Sequence, residues 1–435
     1  STPPAEAPST PPAEAPSTPP AEAPSTPPAE APSTPSTGTP SPPSTQTVPT
    51  PSPEESQTPP QEKPAPNQGA QETPAEEAPK PPEDPLATRI GFFAPMSGAQ
   101  SSFGLDAVNG AKLAVDEINL AGGVLGHPLQ LVIKDTESES ERTNAVVTEL
   151  IKTDKVAALV GEITTDRTLI AASVAQASGI PMITPSATGE KVTEAGDSIF
   201  RACYTDAFQA AIMAKFARSI DVEKAAILFD ASSPYGSSLM EAFKADFVRH
   251  GGTIVAEEFY RSGDTDFAAQ LNAIKEKNPD SIFLPCYYTE AALIIRQARQ
   301  LGIDVPFLGT DGWDSPEFLK VGAQAVNNCY FASHFSSEHV SEKAKAFKEA
   351  YRAKFQAAPP PLAALTYDSV WLVADALKRS GTAESAALRA AIAATRDFPG
   401  VTGSISFDPG RDPKKPGVVI RVQDGQFTYL ETAEP

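Results

Sequence analysis

Between Arg89 and Tyr330, short apolar runs alternate with longer segments of helical spacing, and this alternation restricts the fold more than any other feature of the chain. Strands are expected at Arg89–Phe93, Leu129–Lys134, Val156–Val160, Pro181–Ile183, Ala225–Phe229, Thr253–Glu258, Ser281–Pro285 and Pro306–Leu308. Helices are expected between them, at Ala107–Leu120, Glu141–Lys152, Asp206–Ser219, Ser237–His250, Phe267–Lys277 and Glu290–Leu301. The last of these puts Ala292, Ile295 and Ala298 on one side. Strands separated by helices cannot pair as hairpins, so the pattern predicts an α/β fold with parallel sheets covered by helices on both faces. The chain then changes character. Ser341–Phe355, Leu362–Arg379 and Ala383–Ala394 read as three helices, and Gly403–Phe407, Val418–Val422 and Phe427–Leu430 read as closing strands.

The first 86 residues are a different material. They hold 28 of the 45 Pro and no Phe, Trp or Tyr, and residues 1–32 are four copies of Ser-Thr-Pro-Pro-Ala-Glu-Ala-Pro. Such a repeat buries too little apolar surface to offset the entropy of ordering it, so residues 1–86 are expected to be a disordered Pro-rich tether. Extended as polyproline II it would reach on the order of 250 Å, at about 3.1 Å per residue. What remains exceeds a single hydrophobic core, so two lobes are expected. Of the net charge of −20, about half lies in the tail. No basic stripe exists to track a phosphate backbone, which excludes nucleic acid as a partner. No apolar run reaches the roughly 20 residues of a membrane span. The chain starts at Ser1 inside a repeat, which reads as a processed product.

Lys155 to Thr188 carries the chemistry. Val156–Val160 is continuously apolar, as in a strand buried on both faces. It leaves through Gly161-Glu162-Ile163-Thr164-Thr165 into a helix beginning near Asp166, and Pro181–Ile183 ends in Thr184-Pro185-Ser186-Ala187-Thr188. In an open parallel sheet ligands bind beyond the carboxyl ends of the strands. Hydroxyls, free backbone N–H groups and a helix N-terminus there suit a small anion such as a carboxylate. Neither turn pairs a nucleophile with a base or gathers metal ligands, so the pattern is a grip and not a reaction centre.

These residues carry a resemblance. Ile90-Gly91-Phe92-Phe93-Ala94-Pro95-Met96-Ser97-Gly98, Phe103-Gly104, Asn109–Asn119 and Ala121-Gly122-Gly123 come first. The Thr165 turn, the Thr-Pro-Ser-Ala-Thr turn, Tyr235-Gly236 and Gly309-Thr310-Asp311-Gly312 then follow in family order. From about Ala87 onward the chain resembles the type 1 periplasmic binding proteins for branched-chain amino acids, which feed ABC importers. The resemblance implies two Rossmann-like lobes with parallel sheets, joined by a three-strand hinge. Crossings near Tyr204, His334 and Ser404 would give a lobe of 87–204 plus 335–403 and a lobe of 205–334 plus 404–435.

It also implies a site. Thr165 would take a ligand α-carboxylate, Thr188 would be its second donor, and the carbonyl of Ser186 would accept from the α-ammonium, with Ala187 in the same turn. Asp311 stands where the best-known members carry Glu and would neutralise the ammonium. Tyr235 and Tyr287 would close over the ligand, with Phe103 and Trp313 as further walls. Thr165 could equally cap its helix, and Asp311 could be an ordinary turn residue. Arg167 could meet an acidic ligand side chain, but a solvated helix position is the simpler reading. The family often bridges the end of its second strand to the Thr164 turn by a disulfide; Ser138 and Thr164 stand there instead. Cys203 and Cys329 lie near two crossings, where a bridge could form, with buried free thiols as the other reading.

No P-loop, G-x-G-x-x-G, G-x-S-x-G or H-E-x-x-H occurs, and His127, His250, His334 and His339 are scattered, so neither an enzyme nor a cofactor is expected. The function implied is extracytoplasmic capture of a free amino acid, aliphatic or aromatic, by a monomer. It would deliver to an ABC permease at the periplasmic or extracellular face, with a lipidated Cys ahead of Ser1 as the only tie to the membrane. A tethered envelope interaction protein on the same fold, or a ligand sensor, are the alternatives. The intact set Thr165, Ser186, Thr188 and Asp311 argues against the first, and the lack of a signalling domain against the second.

Overall fold

A computed structural model describes residues 86–336 and 341–434. The expected tether, save Leu86, and His339 lie outside the described residues. The first lobe opens with β1 (Thr88–Ala94), α1 (Ser101–Leu120), β2 (Leu129–Asp135), α2 (Ser140–Lys152) and β3 (Ala158–Val160). It continues with α3 (Thr165–Ser178), β4 (Met182–Thr184), α4 (Lys191–Glu194) and β5 (Ile199–Arg201). Its five strands lie in the order β2-β1-β3-β4-β5, every pair parallel. The central strands are buried on both faces, which is why β3 and β4 read as unbroken apolar runs.

After Ala202–Thr205 the pattern repeats with α5 (Asp206–Ser219), β6 (Lys224–Asp230), α6 (Pro234–Arg249), β7 (Thr253–Tyr260) and α7 (Ala268–Glu276). Then come β8 (Ser281–Phe283), α8 (Tyr288–Gln300), β9 (Phe307–Gly309), α9 (Pro316–Gly322) and β10 (Cys329–Ser333). The helices α10 (Glu342–Phe355), α11 (Pro361–Ser380) and α12 (Ser385–Ala393) return to the first lobe, where α11 packs along α1. A short ribbon of β11 (Phe398–Gly400) and β12 (Gly403–Ile405) precedes β13 (Gly417–Gln423) and β14 (Gln426–Ala433). The second sheet runs β14-β13-β10-β9-β8-β6-β7. Its five strands β6 to β10 are parallel, and β13 and β14 are added antiparallel at one edge.

The crossings between sheets are tied together. Arg201, fully buried at the end of β5, pairs with Asp412 at 2.6 Å, and the buried Lys415 amine donates to the Ala202 carbonyl at 2.9 Å. Cys203, Cys286 and Cys329 are all free and buried, so no Cys203–Cys329 bridge forms. Each thiol sits among apolar side chains, where burial pushes the Cys203 and Cys329 groups up to about 12.

Helix α1 begins six residues before the expected Ala107. Gly104 and Gly110 weaken the helical signal in sequence, since Gly costs about 1 kcal/mol in a helix interior. Packing explains them. A Cβ on Gly104 would fall 2.2 Å from the Pro95 carbonyl oxygen, and one on Gly110 would fall 2.0 Å from that of Ala363 in α11. Gly110→Ala is therefore expected to destabilise the fold by about 1–3 kcal/mol through overpacking, outweighing the gain in helix propensity. A lowered thermal midpoint is the result expected; a raised one would show that α1 and α11 separate at no cost.

Candidate functional site

Two turns at the carboxyl ends of β3 and β4 form one wall. The first is organised by Glu162, whose side chain is fully buried. Its Oε2 accepts from the backbone N–H groups of Ile163 (2.7 Å) and Thr164 (2.8 Å) and from the Thr164 hydroxyl (3.0 Å). Its Oε1 accepts from the Thr136 hydroxyl (2.9 Å) and from Arg167 Nε (3.0 Å). Arg167 also donates to Gln100 Oε1 and to the Ser138 carbonyl and is 7% exposed. It is the internal counterion of Glu162, not a solvated helix residue, because an ionised carboxylate this deep needs a charged partner.

Helix α3 begins at Thr165, with Thr164 at the capping position. The expected capping role therefore does not fall to Thr165. Its Oγ1 instead accepts the N–H of Gly189 at 3.2 Å, which leaves its hydroxyl proton free to donate. A Cβ on Gly189 would lie 2.6 Å from Thr165 Cγ2, so Gly permits this approach. The second turn is laced to the first. Thr184 Oγ1 donates to the Glu162 carbonyl (2.6 Å) and Ser186 Oγ to that of Ile163 (2.8 Å). Arg201 holds the carbonyls of Ala187 (3.0 Å) and Gly189 (2.8 Å) from behind.

The second lobe supplies the opposite wall. Tyr235, in the first turn of α6, and Tyr287, which precedes α8, stack with centroids 4.8 Å apart and planes 8° apart. Asp311 starts a one-turn 3₁₀ segment after β9. Its Oδ1 accepts from the Tyr235 hydroxyl at 2.6 Å and its Oδ2 lies 3.0 Å from His334 Nε2. The His334 ring stacks on Tyr204 at 3.9 Å. Burial pulls the His334 pKa below its usual value, against the pull of the Asp311 carboxylate, so at neutral pH a neutral imidazole donates to Asp311 without cancelling its charge. The nearby Asp314 accepts from the Ser333 hydroxyl, and burial raises its carboxyl to about 7.

Together these walls border a narrow gap between the lobes. Thr165, Ser186, Thr188, Tyr235, Tyr287, Asp311 and Phe103 all line it. Two expected residues do not. Ala187 is buried behind its turn, and Trp313 is wholly buried in the second lobe, stacked on Phe318 at 5.0 Å, because the bare Cα of Gly309 makes room for its indole. Ile163, Thr164, Gly312, Asp314, Ser333, His334, Pro361 and Leu362 also line the gap and were not anticipated. Ile163 and Thr164 lie beside a recognised position. His334 could have been found from its place at the end of a strand. Pro361 and Leu362 come from the start of α11, and no local signal joins them to the turns.

The lobes also meet directly. Asp166 reaches across to Ser233 Oγ (3.1 and 3.2 Å) at the head of α6 and accepts from the Tyr287 hydroxyl (3.3 Å). Tyr288 donates to the Ala99 carbonyl (3.0 Å), and Ser315 and Ser102 bond at 2.8 Å. The gap thus has hydroxyl donors and a helix N-terminus on one side, a carboxylate on the other and aromatic and aliphatic side chains between. That arrangement has the chemistry to hold a small polar molecule by both ends. Among the described residues no group of three or more His, Cys, Asp or Glu is arranged to hold a metal ion.

The family model of periplasmic binding proteins matches residues 87–426. The chain is 29% identical over 323 residues to the Leu/Ile/Val-binding protein BraC3 of Rhizobium johnstonii, covering 73% of this chain and 86% of that one. Among solved structures it is similar to the branched-chain amino acid transporter substrate binding protein LivJ of Streptococcus pneumoniae in complex with isoleucine. That match has 39% identity and a TM-score of 0.76, over 80% of this chain and 100% of that one. It is also similar to the leucine binding protein LivK of Thermotoga maritima, with 34% identity and a TM-score of 0.78, over 80% and 99% of the two chains.

Replacing Glu162 tests how the first wall is held. Glu162→Ala would strand Arg167 and two backbone N–H groups in the interior. A loss of about 3–5 kcal/mol in urea unfolding is expected, the cost of removing one partner of a buried pair. A loss below about 1 kcal/mol, the value of an exposed pair, would show that the turn does not depend on it.

Proposed function

This chain belongs to the periplasmic binding protein family, and on that premise we propose that it captures a free α-amino acid between its lobes, outside the cytoplasm, for delivery to an ABC importer. Aliphatic and aromatic side chains suit the gap best, since Phe103, Ile163, Tyr287 and Leu362 line it. The observation that carries the reading is the charge pattern. Thr165 offers a free hydroxyl proton at the N-terminus of α3, where an anion is favoured. Across the gap the Asp311 carboxylate is oriented by Tyr235 and a neutral His334. A zwitterion gives each wall its partner, the ammonium to the Asp311 carboxylate and the carboxylate to the hydroxyls and helix N-terminus, whereas a ligand with only one of these groups leaves one wall unmatched. The similar proteins that bind leucine, isoleucine or valine point the same way.

Closure follows from the same residues. Thr165 would hold ligand while its neighbour Asp166 bonds Ser233 and Tyr287 of the other lobe. A ligand that contacts both walls stabilises only the closed arrangement and so shifts the population toward it. Delivery by a monomer carried on the N-terminal tether, with a lipid anchor ahead of it, completes the proposal.

Asp311→Ala is expected to weaken amino-acid binding by a hundredfold or more, because a buried ammonium loses its partner at a cost of about 3–5 kcal/mol, while the unfolding midpoint changes little. Unchanged affinity in calorimetry would remove the ammonium role. The pH dependence has a definite sign. His334 gains its proton only below its usual value of 6.5, and an imidazolium there would offset Asp311 and repel an ammonium. Affinity should therefore fall on acidification, beginning near pH 7 where the Asp314 carboxyl that also lines the gap takes up a proton and continuing below 6.5, with His334→Gln removing only the lower part of that fall. Affinity that rises on acidification would contradict this assignment.

A further inference from the structure

We propose that Gln209 is the positioning residue that sets the two ligand grips relative to each other. This deepens the amino-acid reading and rests on it. Gln209 lies in the first turn of α5, immediately after the chain crosses from the first lobe to the second, and is fully buried. Its amide has two chemically distinct ends, and each holds a different wall. The Nε2 group donates to Thr188 Oγ1 at 3.3 Å and to Asp206 Oδ1 at 3.1 Å. The Oε1 atom accepts the backbone N–H of Asp311 at 3.2 Å.

The orientation of this amide is determined by its partners. A flipped amide would set an NH₂ group against the Asp311 N–H and a carbonyl against the Asp206 carboxylate, losing both of those bonds. Burying an amide with all these partners is sustainable, and burying it without them is not. The donation into Thr188 Oγ1 has a consequence for binding. It occupies an acceptor site on that oxygen, and the hydroxyl proton lies within reach of the Asp206 carboxyl as well as of the gap. The backbone of the same threonine is fixed by the Asp206 N–H, which donates to the Thr188 carbonyl at 2.9 Å. At the other end, holding the Asp311 N–H fixes the start of the 3₁₀ turn from which the Asp311 carboxylate projects. One side chain thus sets the spacing between the carboxylate grip and the ammonium grip, and that spacing is what an α-amino acid presents.

The test uses the full chain, unfolded and refolded to strip bound solute, titrated calorimetrically with each proteinogenic L-amino acid. Gln209→Leu removes both ends of the bridge. Gln209→Glu keeps an acceptor for the Asp311 N–H but turns the donor end into a carboxylate facing Asp206 and Thr188. Both variants are expected to bind at least tenfold more weakly than the wild type at equal folded fraction. In ligand-free Gln209→Leu the Asp311 amide should exchange its hydrogen at least tenfold faster. A residue with only a packing role would lower the thermal midpoint and leave the dissociation constant alone, and that result in either variant would overturn the proposal. If Gln209→Leu does not fold, Gln209→Glu decides by the same criterion. A wild type that binds no amino acid would overturn the amino-acid reading; the coupling then stands or falls on the Asp311 amide, and unaltered exchange would overturn it.

Discussion

One buried carboxylate underlies the site. Glu162 is fully buried, and five donors within 3.0 Å compensate for the lost hydration of its carboxylate. One of these is the Arg167 guanidinium, so the pair adds no net charge to the wall beside it. The consequence is local and functional. The turn that leads from β3 into α3 has its backbone fixed by the carboxylate, and its electrostatics come from the helix N-terminus and the Thr165 hydroxyl. A free charge at this depth would have dominated both. The second turn inherits its position, because Thr184 bonds the Glu162 carbonyl and Ser186 bonds that of Ile163.

The opposite wall is built on a different principle. The neighbours of Asp311 orient its carboxylate without placing a cation beside it. Tyr235 and neutral His334 each donate one hydrogen bond. The lobes meet through separate hydrogen bonds at Asp166, Tyr288, Ser315 and Ser238 and through the edge-to-face pair of Phe103 and Tyr288. Such hydrogen bonds are worth little individually, since each replaces hydrogen bonds to water. A hinge held this lightly can be biased by a ligand that bonds both walls, which is what capture and release require.

Much of this was legible in the chain. The strand–helix alternation foretold both parallel sheets, because a run such as Val156–Val160 has only one comfortable environment, and α5 was placed to the residue at Asp206–Ser219. Other parts were hidden for physical reasons. The three-residue strand β5 ends in Arg201, whose burial depends on Asp412 more than 200 positions away. The start of α1 was masked by two glycines that exist for tertiary contacts. In the site, grips that sit on local turns were readable. Leu362 and Gln209 were not, since their roles arise only when distant segments meet. Trp313 shows the opposite error, where nearness in sequence to a grip suggested ligand contact and the side chain packed on Phe318, while Arg167, read as a solvated helix position, turned to the buried Glu162.

The most direct test of the account is a crystal structure of the protein grown with an amino acid that it binds. The account predicts one molecule between the lobes, its carboxylate at the hydroxyls of Thr165 and Thr188 and its ammonium at Asp311, with the side chain among Phe103, Tyr287 and Leu362. A ligand held in the reverse orientation, or bound anywhere other than between these two walls, would contradict it.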